Sequence, residues 1–140
     1  MQVKLQKHLL AQTIEFLYEL TLKGRYSRHR TKIIQELSKH LEELSKDEES
    51  LLEEYCDRDE NGEFKTQENG KYYDIEDTQS YLQERDILHN EHIVLEGANL
   101  ETSLKTVREA LDIAEDEFSE EKATLYAHLC DVFKVDEEIE

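Results

Sequence analysis

Apolar residues recur three and four positions apart through most of the chain, and the breaks in that rhythm mark its joints. Leu10, Ile14, Leu17 and Thr21 keep helical spacing, with Leu9, Phe16 and Leu20 widening the stripe. This predicts a first helix closed by Gly24 as a left-handed stop. Ser27 is the expected N-cap of a second helix. Along it Ile34, Leu37, Leu41, Leu44, Leu51 and Tyr55 repeat, with Glu48 at the one polar step. Unbroken from about 28 to 57, that helix would run roughly 45 Å at 1.5 Å per residue. Helices of such length need a partner along them, supplied by neighbouring helices or by a second copy of the chain.

The rhythm changes between 58 and 75. "GEFK" and "KYYDI" are short aromatic-bearing segments around "TQENG", which predicts a β-hairpin near 63–75 turning at Asn69-Gly70. Ile75 to Asn90 is expected as a third helix with Tyr81, Leu82 and Leu88 inward. "HIVLE", 92–96, is a β-branched run ended by Gly97, and the alternating "QVKL" at 2–5 is its expected partner. A fourth helix follows an Asn99 cap, with Leu100, Leu104, Val107, Leu111, Ala114 and Phe118 in one stripe. Ser119 caps a fifth, burying Ala123, Tyr126, Leu129, Cys130 and Phe133. The tail "VDEEIE" is expected to fray. The predicted fold class is mainly α (α+β): five helices, one of them long, with a small antiparallel sheet. At 140 residues without proline, a single domain over 1–140 is the expectation.

Charge adds a second pattern. Seventeen Lys and Arg stand against thirty-five Asp and Glu, a formal charge of -18. Residues 1–40 nevertheless carry a net +5. Five cations fall within "KGRYSRHRTK", 23–32, which contains no acid. Arg25, Tyr26, Arg28, His29, Arg30 and Lys32 are therefore the candidate interaction residues. Tyr26 and His29 would suit stacked bases, but the global charge opposes a polyanion, so nucleic acid is not the expected partner. Carboxylates are, either in the acidic remainder of this chain or on another protein or copy. The ten acids between 42 and 60 support an alternative, an acidic inhibitor or DNA mimic of a host DNA-binding protein.

Other chemistry finds less footing. "DRDENGEFKTQE", 57–68, fits the spacing of a calcium loop, with Asp57, Asp59, Asn61, Gly62 and Glu68 at its liganding and turning steps. Lys65 at the ninth position and a turn where a helix should follow argue for an acidic turn instead. His89 and His92 lack a third ligand, and Cys56 and Cys130 lack a CxxC partner. No nucleophile elbow or glycine-rich phosphate loop is present. The expectation is a non-enzymatic protein without metal or cofactor. No apolar run approaches membrane-spanning length, and "MQVKLQKHLL" lacks the apolar core of a secretion signal.

"FLYELTLKGRYSRHRTKIIQEL", 16–37, and "EEYCDRDENGE", 53–63, together with "HIVLEG" and "LYAHLCDVF", resemble a small family of proteins from tailed bacteriophages of Gram-positive bacteria. That family is a domain of unknown function tied to the late, structural or tail gene region. The resemblance implies an accessory protein acting by protein–protein contact, in virion or tail assembly. Its setting would be the host cytoplasm during infection or the virion itself. No catalytic residue comes with the resemblance.

Overall fold

The computed structural model describes residues 1–137. It comprises β1 (Val3–Gln6), a 3₁₀ turn, α1 (Leu10–Glu19), α2 (Gly24–Tyr55), β2 (Thr66–Gln67), β3 (Tyr72–Tyr73), α3 (Thr78–Asn90), β4 (His92–Leu95), α4 (Glu101–Ile113) and α5 (Glu120–Val132). The mainly helical α+β class follows. Two compact units divide the chain, Met1–Leu41 with His92–Glu140, and Glu42–Glu91.

In the first unit, β1 and β4 pair antiparallel, Val3 opposite Leu95 and Leu5 opposite Ile93. Alternation puts these four side chains on one buried face while Lys4 and Val94 face out. Leu10, Leu17 and Leu20 of the α1 segment and Ile33, Ile34 and Leu37 of α2 are buried, as are Leu104, Val107 and Leu111 of α4. Leu129 and Phe133 complete that core. The amino group of Met1 reaches the Glu101 carboxylate at 2.6 Å, tying the start of β1 to α4.

The second unit contains the rest of α2, the hairpin and α3. Leu44, Leu52 and Cys56 are its buried apolar residues among those described, which is a thin core for fifty positions. The hairpin is present but short, and forms its own two-stranded sheet rather than joining β1 and β4. Glu68, Asn69 and Gly70 all take positive φ, a sequence of left-handed residues that Asn and Gly accept at low cost. Asp77 caps α3 by accepting from the Ser80 amide at 3.1 Å. Hydrogen bonding from the Ser80 side chain, and next from its amide, holds the Asp77 carboxyl below its ordinary value.

Several expected boundaries move. Gly24 is left-handed (φ +55°), but it opens α2 instead of closing α1. The long helix therefore starts before Ser27 and ends at Tyr55, not 57. α3 begins at Thr78 rather than Ile75, and Leu82 is exposed rather than inward. Asn99 makes no side-chain cap; α4 starts at Glu101 after a turn in which the Leu100 amide reaches the Gly97 carbonyl. The stripe to Ala114 and Phe118 outlasts its helix, which stops at Ile113. Ser119 does occupy the position before α5, without a side-chain bond. Of the tail, residues 138–140 lie outside the described residues.

Beyond α4, Phe118 packs on Phe16 (ring centres 5.1 Å apart) and on Tyr126 (4.7 Å). The Tyr126 hydroxyl donates to the Leu111 carbonyl at 2.5 Å. Burial is the main cause pushing this phenol up to about 12. A phenolate could not donate to Leu111, so the folded chain holds its proton longer than the unfolded chain, where tyrosine ionises near 10. The stability contributed is complete below pH 10 and is lost as pH rises through about 12. Ultraviolet titration of the folded protein is expected to show a late phenolate step that disappears in Tyr126→Phe; an unchanged titration curve in that variant would contradict the assignment.

Candidate interaction site

The cationic stretch sits in the first unit, in the loop before α2 and its first turns, and it does not act as one patch. Arg30 turns inward. One guanidinium nitrogen donates to the Leu17 carbonyl at 3.2 Å and the Leu20 carbonyl at 2.5 Å, and the other reaches the Ser27 hydroxyl at 3.4 Å. The last carbonyls of a helix have no partners within it. Leu20, after α1, is extended rather than left-handed, so no glycine motif covers them. A cation there meets the negative end of the helix dipole. His29 and the buried Ser103 hydroxyl are 2.8 Å apart, and Lys32 donates to the Asn99 carbonyl at 2.8 Å. These two bonds join the start of α2 to α4 and to the turn before it.

Arg25, Tyr26 and Arg28 differ. Arg25 lies over the Tyr26 ring, 4.9 Å from its centre, and is 3.4 Å from the Glu109 carboxylate. Both members of that ion pair are more than half exposed, so it is worth little in solvent. The Tyr26 hydroxyl is within 3.5 Å of the same carboxylate. The Lys23 and Arg28 side chains are exposed and contact no carboxylate among the described residues. Beside them is a cavity of about 510 Å³, lined in part by Leu22, Lys23, Tyr26, Ile113 and Asp116; Ile113 is 53% exposed. Lys23, Arg25, Tyr26 and Arg28 thus form an outward cationic edge, while His29, Arg30 and Lys32 serve the fold. Among the described residues, Arg25 is the one arginine of the cluster that meets a carboxylate of this chain, by a single contact and not a fork; Arg30 takes carbonyls.

The acidic loop is organised by Arg58. Its guanidinium reaches Glu53 at 2.5 Å, Glu49 at 2.9 Å and the Gly62 carbonyl at 2.6 Å, and lies 4.0 Å over the Phe64 ring. Asp59 is turned onto backbone, accepting from the amides of Asn61 and Glu63. Glu68 enters the hairpin turn, so no helix follows the twelfth position of the calcium-like pattern. His89 closes α3 against Glu48 at 3.4 Å, which gives the polar step of the long helix its partner; His92 is an exposed residue of β4. No group of three or more His, Cys, Asp or Glu suited to a metal occurs among the described residues. No helix among them is long and apolar enough to cross a membrane.

Sequence reading missed a second feature, in the second unit. A shallow groove of about 220 Å³ runs between α2 and α3, floored by Leu51, Ile87 and Leu88 and rimmed by Asp47, Glu54, Glu84 and Glu91. Each stripe is visible in the sequence; their meeting is not.

The chain is thus a mainly helical α+β protein with a partly free cationic edge on one unit and an acidic groove on the other. The chain belongs to the family described as protein of unknown function (DUF1617), whose model matches residues 1–139. No curated protein and no solved structure matches it.

Proposed function

We propose that this chain is a non-enzymatic bacteriophage accessory protein that works by protein–protein contact in virion or tail assembly. One observation carries the reading: in a protein of charge -18, Lys23, Arg25 and Arg28 are left at the surface while their neighbours are used internally. Exposed cations without strong internal pairing cost nothing to leave in water, yet they steer an acidic partner and fix its register. Tyr26 and Ile113 beside them supply the amphipathic area that contact surfaces favour. The chain's own net charge repels a phosphate backbone. The acidic inhibitor or DNA-mimic reading is the less supported one, because Glu48, Glu49 and Glu53 are already engaged by His89 and Arg58.

The test is the combined variant Lys23→Glu, Arg25→Glu, Arg28→Glu. Its circular dichroism and thermal midpoint are expected to match those of the parent. Purified from phage-infected cells, the parent is expected to retain a virion structural protein or a second copy of itself, and the variant to lose it. A parent that recovers neither, or one that holds duplex oligonucleotides at physiological ionic strength, sinks the proposal.

A further inference from the structure

The second unit carries eighteen Asp and Glu against five Lys and Arg, and its buried core is small. It also leaves Ile87 59% exposed and Leu82 39% exposed on α3. Isolated apolar residues at a surface need no explanation. Ile87 is not isolated, because it adjoins Leu88 and faces Leu51 across the groove between α2 and α3. On α2 the lining residues Asp47, Ser50, Leu51 and Glu54 step by i, i+3, i+4, i+7, and Glu84, Ile87, Leu88 and Glu91 repeat that step. Each stripe therefore lies on one side of its segment, apolar at the middle and carboxylate at both ends. No Lys or Arg lines the groove.

We infer that this groove receives a basic amphipathic helix of another protein. A third helix laid between two others buries its apolar ridge in their groove. Here the ridge would cover Leu51, Ile87 and Leu88, and cations about one turn to either side would meet Asp47, Glu54 and Glu84. The rim excludes acidic peptides, phosphates and anionic lipid. A second copy is a poor fit, because among the described residues the basic helix starts have buried apolar faces: the cations at the start of α2 are followed by Ile33, Ile34 and Leu37, all buried. Likewise, Lys105 and Arg108 of α4 flank Leu104 and Val107, which are buried too.

The assignment rests on the reading that the chain works by protein contact, and it names the chemistry of one partner. The probe is a fluorescent synthetic peptide with leucines at i, i+3, i+4 and i+7 and arginines flanking them. Its control has the same composition with the leucines scrambled. Fluorescence anisotropy at physiological ionic strength is expected to show saturable binding of the patterned peptide, weakened about tenfold by scrambling. Ile87→Asp, at a site exposed enough to tolerate it, is expected to weaken binding by at least about tenfold. The combined variant Asp47→Gln, Glu54→Gln, Glu84→Gln is expected to flatten the salt dependence. Equal binding of the two peptides, or full binding to Ile87→Asp, overturns the inference. So does self-association that Ile87→Asp abolishes, which would give the groove to a second copy. The Lys23, Arg25, Arg28 variant should bind the peptide normally, so failure of the groove is distinguishable from failure of the cationic edge.

Discussion

Arg30→Ala is expected to lower the unfolding free energy by about 3 kcal/mol, whereas Arg28→Ala, two residues before it and on a different face of α2, should leave the denaturation midpoint where it is. The difference follows from what each guanidinium touches. Arg30 spans the Leu17 and Leu20 carbonyls at the end of α1, and hydrogen bonds that involve a charged group contribute about 1.5–3 kcal/mol each. Removing the donor strands half-buried carbonyls that have no helical partner. Arg30→Lys should recover only part of the loss, since an ammonium lacks the planar fork that serves several acceptors together. Arg30→Met should fall between alanine and the parent: it keeps the packed stem, loses the cap, and removes the buried Nε that has no partner. Urea denaturation of the set decides the matter. If Arg30→Ala and Arg28→Ala unfold at the same urea concentration, the capping account of Arg30 is wrong.

That contrast also measures how far the sequence can be read. The cluster from Lys23 to Lys32 is conspicuous as charge, but its division of labour is invisible there. Arg30 and Lys32 bond to the carbonyls of Leu17, Leu20 and Asn99, and every residue carries a carbonyl, so no side-chain pattern announces the partner. The pairing of β1 with β4 was legible. Val3 and Leu5 alternate with polar neighbours, while Ile93, Val94 and Leu95 form a short β-branched run closed by Gly97, and both patterns favour a strand. The hairpin turn was legible for a similar reason, since Asn69-Gly70 is chemistry specific to left-handed backbone.

Helix ends were harder. The apolar spacing of α4 continues through Ala114 to Phe118, yet the helix stops at Ile113. Phe118 is still covered, because the non-helical linker carries it onto Phe16 and Tyr126. Burial, not helical phase, is what the pattern recorded. The groove between α2 and α3 was missed for a geometric reason. Leu51 and Leu88 look inward by periodicity, and each is only half-buried, because two short stripes with carboxylate ends meet without a third element over them. Periodicity is a property of one helix, whereas a groove is a property of a pair.

Phe16→Ala is the second large effect, at about 3–5 kcal/mol of lost stability in the first unit, the usual cost of emptying a buried aromatic site. Phe16 is 3% exposed and is the α1 member of the ring cluster with Phe118 and Tyr126. Its loss should do more than leave a cavity. Phe118 anchors the linker between α4 and α5, so water should gain access to the Tyr126 hydroxyl. The burial that raises the phenol to about 12 would be relieved, and the late step of the tyrosine titration should move back toward the ordinary value near 10. Phe118→Ala is expected to move the same step, with a smaller loss of stability because Phe118 is only partly buried. A Phe16→Ala protein that loses stability while Tyr126 still titrates near 12 would mean that the phenol's burial comes from elsewhere in the unit. The ring cluster would then be packing alone, with no hold on the bond between Tyr126 and Leu111.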